Sequence, residues 1–304
     1  MYKFLFSLAM LTLGLLVNTT THAAVLTATE LLGGFNAIIF GNATTSADIE
    51  GASIIGGNFS GATAYNNPKG VAIPNTFNAL NVFGNTSGNP INLNNGGNAY
   101  VGGTKGAIVN FNGGGQYVAS SPVMGIADIK AELLNFSLYL SGLQANSYLP
   151  TPDNNEIIVA SPNASGLAVF NITVDDLSKI PSYSIDLNGA TTVIFNVSGS
   201  ILDFKANYQG NDSIFDNIIW NFYDATNITF ETLIGGSVLA PYASVTNKNQ
   251  IDGTLVANTW TGQGELHEYA FDGSVPRPTP EPSSMLLFAS GVLLFGFWRR
   301  RGAR

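Results

Sequence analysis

The chain has 304 residues, 34 of them glycine and none cysteine, and a formal net charge of −8. Without cysteine it has neither disulfide staples nor thiolate chemistry. From Ala24 to Pro276 six lysines and no arginine stand against nineteen acids, a net of −13 that repels nucleic acid and anionic headgroups. The exported surface therefore suits neutral ligands, cations or simple solubility.

Residues 1–23 begin with Lys3, run apolar from Phe4 to Val17 and end in Thr21-His22-Ala23. A basic start, an apolar middle and small residues before the cut read as a secretory signal peptide, which sends the chain to the Sec translocon. Cleavage is expected after Ala23, with Ala24 the alternative. The rival reading is an N-terminal core helix. About 250 residues then remain between two hydrophobic ends, enough for one large or two modest domains.

The next stretch is a series of thin strands. Phe35 to Phe40 is an apolar run stopped by Gly41-Asn42, and Ile49 to Ile55 ends in Gly56-Gly57-Asn58. Ala79 to Phe83 stops at Gly84-Asn85, Ala99 to Val101 at Gly102-Gly103, and Ile108 to Asn112 at Gly113-Gly114-Gly115. Gly and Asn accept positive φ, so these stops predict tight corners. Short strands at this recurrence, with Ala, Gly and Ser where a sandwich core needs bulk, predict a right-handed β-solenoid (β-helix). A β-sandwich gives similar strand spacing.

One segment breaks the pattern. Ile126, Ile129, Leu133, Phe136, Leu140 and Leu143 form one stripe at helical spacing, after Pro122 and ending near Gly142. An amphipathic α-helix flanking the solenoid is expected, with a partner-binding helix as the sharper reading. Pro150 and Pro152 then mark a loop or linker. Beyond them come denser strands at Glu156–Ala160, Gly166–Ile172, Thr191–Val197 and Ile218–Phe222.

The closing strands carry Gly236-Ser237-Val238-Leu239-Ala240-Pro241, then Gly253-Thr254-Leu255-Val256-Ala257, then Gly262-Gln263-Gly264-Glu265. With Leu32-Gly33-Gly34-Phe35-Asn36 and Asp48-Ile49-Glu50-Gly51 near the start, they resemble the choice-of-anchor A domain over roughly residues 28 to 272. The resemblance implies an adhesive β-helical domain on a bacterial surface, here residues 24–273. It assigns no catalytic residues, so none is carried over.

Residues 274–282 are Pro-rich, 283–298 are apolar and 299–304 are basic. Sixteen helical residues reach about 24 Å, short of a ~30 Å hydrocarbon core, so a membrane helix here needs thinning or anchoring by Trp298 and the arginines. The positive-inside rule keeps Arg299, Arg300 and Arg301 cytoplasmic. Pro280-Glu281-Pro282, the apolar helix and the arginine cluster resemble the PEP-CTERM sorting signal of Gram-negative bacteria. That resemblance implies an exosortase as processing partner, transient anchoring at the inner membrane, and release to the envelope, outer surface or an exopolysaccharide matrix, as in a biofilm. The plain rival is an ordinary tail anchor.

Chemistry is sparse. His267 is the one histidine of the exported part, and no Gly-x-Ser-x-Gly elbow accompanies it. Gly113-Gly114-Gly115 lacks the Lys of a phosphate loop. Asp48 with Glu50, Asp175 with Asp176, and Glu265 with Glu268 are the carboxylate pairs a polysaccharide-acting enzyme needs, although capping and solvation explain such pairs too. No cofactor is expected. Asn and Asp oxygens suit a structural calcium ion, but no calcium-loop motif fixes its place. Tyr65, Tyr100, Tyr117, Trp220, Tyr223, Tyr242 and Trp260 are the aromatics available to stack on sugars. Trp220 reads as core. Trp260, between Thr259 and Thr261, reads as the exposed candidate ligand surface. A third reading, an ice-binding solenoid, requires a regular threonine ladder, and the sequence shows scattered threonines such as Thr226, Thr229 and Thr232.

Overall fold

The computed structural model describes residues 26–61, 64–65, 73–74, 77–151 and 155–276. The signal peptide with Ala23 and Ala24, the side chain of Tyr65, and the tail from 277 through Pro280, Glu281, Pro282 and Arg299 to Arg301 lie outside the described residues. Among the described residues no helix is long and apolar enough to cross a membrane.

The chain is mainly β, and its strand ladders are parallel. Successive coils contribute to three faces. The first face runs from Leu167–Thr173 through Thr192–Ser198, Ile218–Asn221 and residues 237–240 and 255–257. It continues through Ala37–Ile39, Ser53–Ile55, Leu80–Val82 and Ala99–Val101 to Tyr117–Val118. The first coil thus lies in the middle of the stack, with the second coil on one side and the last on the other. The chain winds outward to Tyr117–Val118, returns along the flank, and winds back inward from Leu167–Thr173.

The return uses the predicted helix. It spans Ile126–Ser141 and buries Ile129, Leu133, Phe136 and Leu140. Its length, about 24 Å, crosses roughly five coils at ~4.8 Å spacing. Under it Asn171, Asn196 and Asn221 form one row of the first face. Asn221 Nδ2 donates to Asn196 Oδ1 at 2.8 Å and to the Ser137 carbonyl at 3.0 Å, while Asn196 Nδ2 donates to the Leu140 carbonyl at 2.7 Å. The row continues as Leu239, Val256, Ile38 and Ile54, all buried. Amides hold one half of the helix and apolar packing the other.

In-register coils repeat the same interior row at every step. Phe170, Phe195 and Trp220 therefore stack face to face, with centroids 4.7 and 4.1 Å apart. Trp220 is fully buried, as expected, and its indole donates to the Gly235 carbonyl at 2.8 Å.

The Gly-Asn stops are corners, but not for the reason their composition suggests. Gly41, Gly57, Gly84 and Gly103 have no left-handed φ. They stack directly: Gly57 N donates to Gly41 O, Gly84 N to Gly57 O and Gly103 N to Gly84 O, at 2.8, 3.1 and 2.9 Å. A Cβ on Gly57 would lie 2.8 Å from Gly41 O, and one on Gly84 2.5 Å from Gly57 O. Close approach, not dihedral freedom, requires glycine here. Each following Asn accepts from the next coil: Asn58 N to Asn42 Oδ1 and Asn85 N to Asn58 Oδ1.

Candidate functional site

The second face is the one that presents a regular array of small polar side chains. It is built from Ile201–Phe204, Asn227–Phe230, residues 244–247 and 259–262, Ala43–Thr45, Phe59–Gly61 and Thr86–Ser87. Strand alternation sends Leu202, Ile228, Val245, Trp260, Ala43 and Phe59 inward, where all are buried. The residues beside them point outward. Thr229, Thr246, Thr261, Thr44, Ser60 and Ser87 stand in one register row, with Asp203 at its end. Asn227, Ser244 and Thr259 form a second row beside it, ended by Ile201, and the Ser244 and Thr259 hydroxyls are hydrogen-bonded. Thr44, Thr261 and Ser87 are exposed; Thr229, Thr246 and Ser60 are half-buried. Steps along a row are ~4.8 Å and the rows are ~6.7 Å apart.

This array overturns two expectations. The threonine ladder exists: Thr229, Thr246 and Thr261 come from successive coils, and the winding of the first coil against the last brings Thr44 beside them. Of the scattered threonines, Thr226 and Thr232 donate to the carbonyls of Ser200 and Ala206 and are corner residues. Trp260 is not a ligand surface. It is 2 % exposed, and its indole donates to Asn247 Oδ1 at 2.8 Å. The flanking threonines signalled this: polar, apolar, polar is how a half-buried strand alternates. Tyr242 is 54 % exposed, whereas Tyr100, Tyr117 and Tyr223 are half-buried. The two rows of the second face therefore present hydroxyls and methyls, with no aromatic side chain in either row.

Of the carboxylate pairs, Asp175 with Asp176 lies apart from the other two. Asp176 accepts from Thr173 N and Oγ1 and caps the short helix Val174–Ser178, the capping role weighed against catalysis. At this end the third face is the ladder of Ile234–Gly235, Ile251–Asp252 and Leu266–His267, with Ile49 bridged to Leu266. There, where the last coil meets the first, Glu50, Asp252, Glu265 and Glu268 gather around His267. His267 Nδ1 lies 2.9 Å from Asp252 Oδ1, and Nε2 lies 2.9 Å from Glu265 Oε2. Glu50 Oε2 accepts from Glu268 N at 2.8 Å. Among the described residues no group of three or more such side chains is arranged to hold a metal ion.

The Asp252 carboxylate raises the His267 pKa to about 9, against partial burial and with help from Glu265. The unfolded chain titrates this group near 6.5. The stabilising contribution is fully present below about 6.5 and is lost as pH rises through about 9. Stability to urea should fall across that window, and His267→Gln should flatten the profile there. An equally steep profile in the variant would refute the assignment.

In-register coils, a flanking helix and a hydroxyl-lined face define a β-solenoid built around a surface. Residues 28–268 match the family profile of the ice-binding-like adhesive domain, and the chain belongs to that family. Residues 278–301 match the PEP-CTERM protein-sorting motif, so the protein is exported and sorted by an exosortase toward the cell envelope or surface. No curated protein matches the sequence. Among solved structures, a glycosylated ice-binding protein from an Arctic yeast is similar at 13% identity and a TM-score of 0.40, over 83% of this chain and 96% of that one. An ice-binding protein from an Antarctic biological consortium is similar at 11% identity and a TM-score of 0.37, over 82% and 93%.

Proposed function

We propose that this is a non-enzymatic surface adhesive domain of choice-of-anchor A type that grips an extended, neutral, hydroxyl-rich polymer through its second face. Export through the Sec translocon, a pause at the inner membrane on the C-terminal helix, and exosortase processing would deliver it to an exopolysaccharide matrix or biofilm. The coils are taken as right-handed, as parallel crossovers almost always are. The observation that carries the reading is the double row of Thr, Ser and Asn. It offers a repeated donor and acceptor at polymer-like spacing and avoids the cost of desolvating charge. A second reading, ice binding, is favoured by the threonine row itself, since a methyl beside each hydroxyl suits ordered water.

The protein purified as exported would be sedimented with the host's insoluble exopolysaccharide and, separately, assayed for ice shaping. A Thr44→Tyr/Thr261→Tyr double variant keeps the inward residues and breaks the row. At least roughly tenfold weaker polymer binding by a variant with unchanged melting temperature is expected, the loss of about two hydrogen bonds. Ice shaping by the wild type alone, with no polymer binding, would replace the first reading by the second.

A further inference from the structure

A cavity of about 260 Å³ opens between Ile73 with residues 77–79 and the turn at 94–98, lined by residues that the second face does not use. Ile73, Phe77 and Ala79 are its apolar part; Asn78, Asn94, Asn95 and Asn98, with the backbone of Gly96 and Gly97, are its polar part. Among the described residues no ionisable side chain lines it. Phe77 packs edge-on against Phe35, with ring centroids 5.1 Å apart.

Two of the amides are each held at one end only. Asn78 Nδ2 donates to Asn81 Oδ1 at 3.2 Å, and Asn81 Nδ2 returns a bond to the Asn78 carbonyl at 2.7 Å. Asn98 Oδ1 accepts from Gln116 N at 3.0 Å. The remaining ends are one acceptor, Asn78 Oδ1, and one donor, Asn98 Nδ2, both oriented in advance. Asn95, at the turn tip with φ of 57°, adds an exposed amide.

We propose that this cleft is a saccharide subsite that takes one ring of a neutral glycan. A pinned donor and a pinned acceptor match adjacent sugar hydroxyls, which give and take hydrogen bonds alike. Their immobilisation lowers the entropy cost of binding. The apolar floor suits the C–H face of a ring. The volume lies just under the ~300–1,000 Å³ of drug-sized sites, which fits a single ring. Phosphate or uronate ligands would enter an acidic surface with no lysine or arginine among the described lining residues to meet them.

The test uses the protein purified as exported, isothermal titration, and a panel of neutral tetrasaccharides of glucose, galactose and mannose, with tetragalacturonate as the anionic comparison. Asn98→Asp keeps the oxygen that accepts from Gln116 and removes the donor; Asn95→Gly removes an amide that holds nothing else. Saturable binding of at least one neutral sugar is expected, weakened roughly 3- to 10-fold by Asn98→Asp. It should be unaffected by the Thr44→Tyr/Thr261→Tyr change on the second face, so this site and that face fail independently. Absence of saturable binding across the panel, equal binding of tetragalacturonate, or full affinity in both cleft variants would overturn the proposal.

Discussion

Replacing Pro280, Glu281 and Pro282 by alanine should leave the protein at full length in the membrane fraction of its host. The PEP-CTERM motif at 278–301 is the basis for exosortase sorting. Proline lacks an amide hydrogen, holds φ near −65° and disfavours helix at the residue before it, so a Pro-Glu-Pro sequence opposes helix formation. Three alanines favour helix and would let the apolar helix continue into the recognition segment. The expected effect is close to all-or-none: wild type yields a shorter product outside the membrane, and the variant yields precursor only. Replacing Arg299, Arg300 and Arg301 by alanine should instead disturb orientation, the outcome expected where the positive-inside rule sets it. Normal trimming and release of the alanine variant, followed by size on a gel and by fractionation, would show that sorting does not read these residues.

The second large effect lies at the seam between the two halves of the solenoid. Asn36 is 2 % exposed and binds three main-chain groups from distant coils. Its Nδ2 donates to Gly253 O at 2.7 Å and to His267 O at 3.0 Å, and its Oδ1 accepts from Gly51 N at 3.1 Å. Asn36→Leu keeps the volume and leaves three buried polar groups without this partner. The His267 carbonyl keeps Gly253 N and Tyr269 N as donors, so two groups are orphaned, and at about 1–3 kcal/mol each the loss should reach about 2–6 kcal/mol. That is a large part of the ~5–15 kcal/mol that holds a typical domain together. Asn36→Asp retains the acceptor for Gly51 but sets a carboxylate against two carbonyls, so it should not rescue. Urea unfolding reads both. A loss below about 1 kcal/mol for Asn36→Leu would mean that the seam is held elsewhere.

How much of this was legible before the coordinates depended on whether the signal was local. The stripe from Ile126 to Leu140 is a local signal, and the helix over Ile126–Ser141 follows it. Trp220 alternates with Phe222 and is core for that reason. Trp260 carried the same information in Thr259 and Thr261, yet the ring's size suggested a platform. The glycine corners were visible, but composition could not separate positive φ from close stacking, since both demand a missing Cβ. The threonine row was beyond local reading. Thr44 and Thr261 are neighbours because residues 259–262 pair with Ala43–Thr45, a contact that no recurrence along the chain encodes.

By itself the sequence determined the C-terminal sorting motif, the β character, the short coils and the flanking helix. Each is set by periodicity, turn chemistry or a contiguous motif within some thirty residues. Only the tertiary structure decided which coils touch. The first coil closes against the last, and this brings Asn36 to Gly253 and His267, assembles the hydroxyl row of the second face, and gathers the acids around His267. Parallel coils bond to whichever coil lies above and below, and their main-chain ladder is the same for every sequence. Identity of the neighbour therefore comes from the path of the returning helix and from buried side chains such as Asn36 and Asn221, whose partners exist only once the chain has folded back.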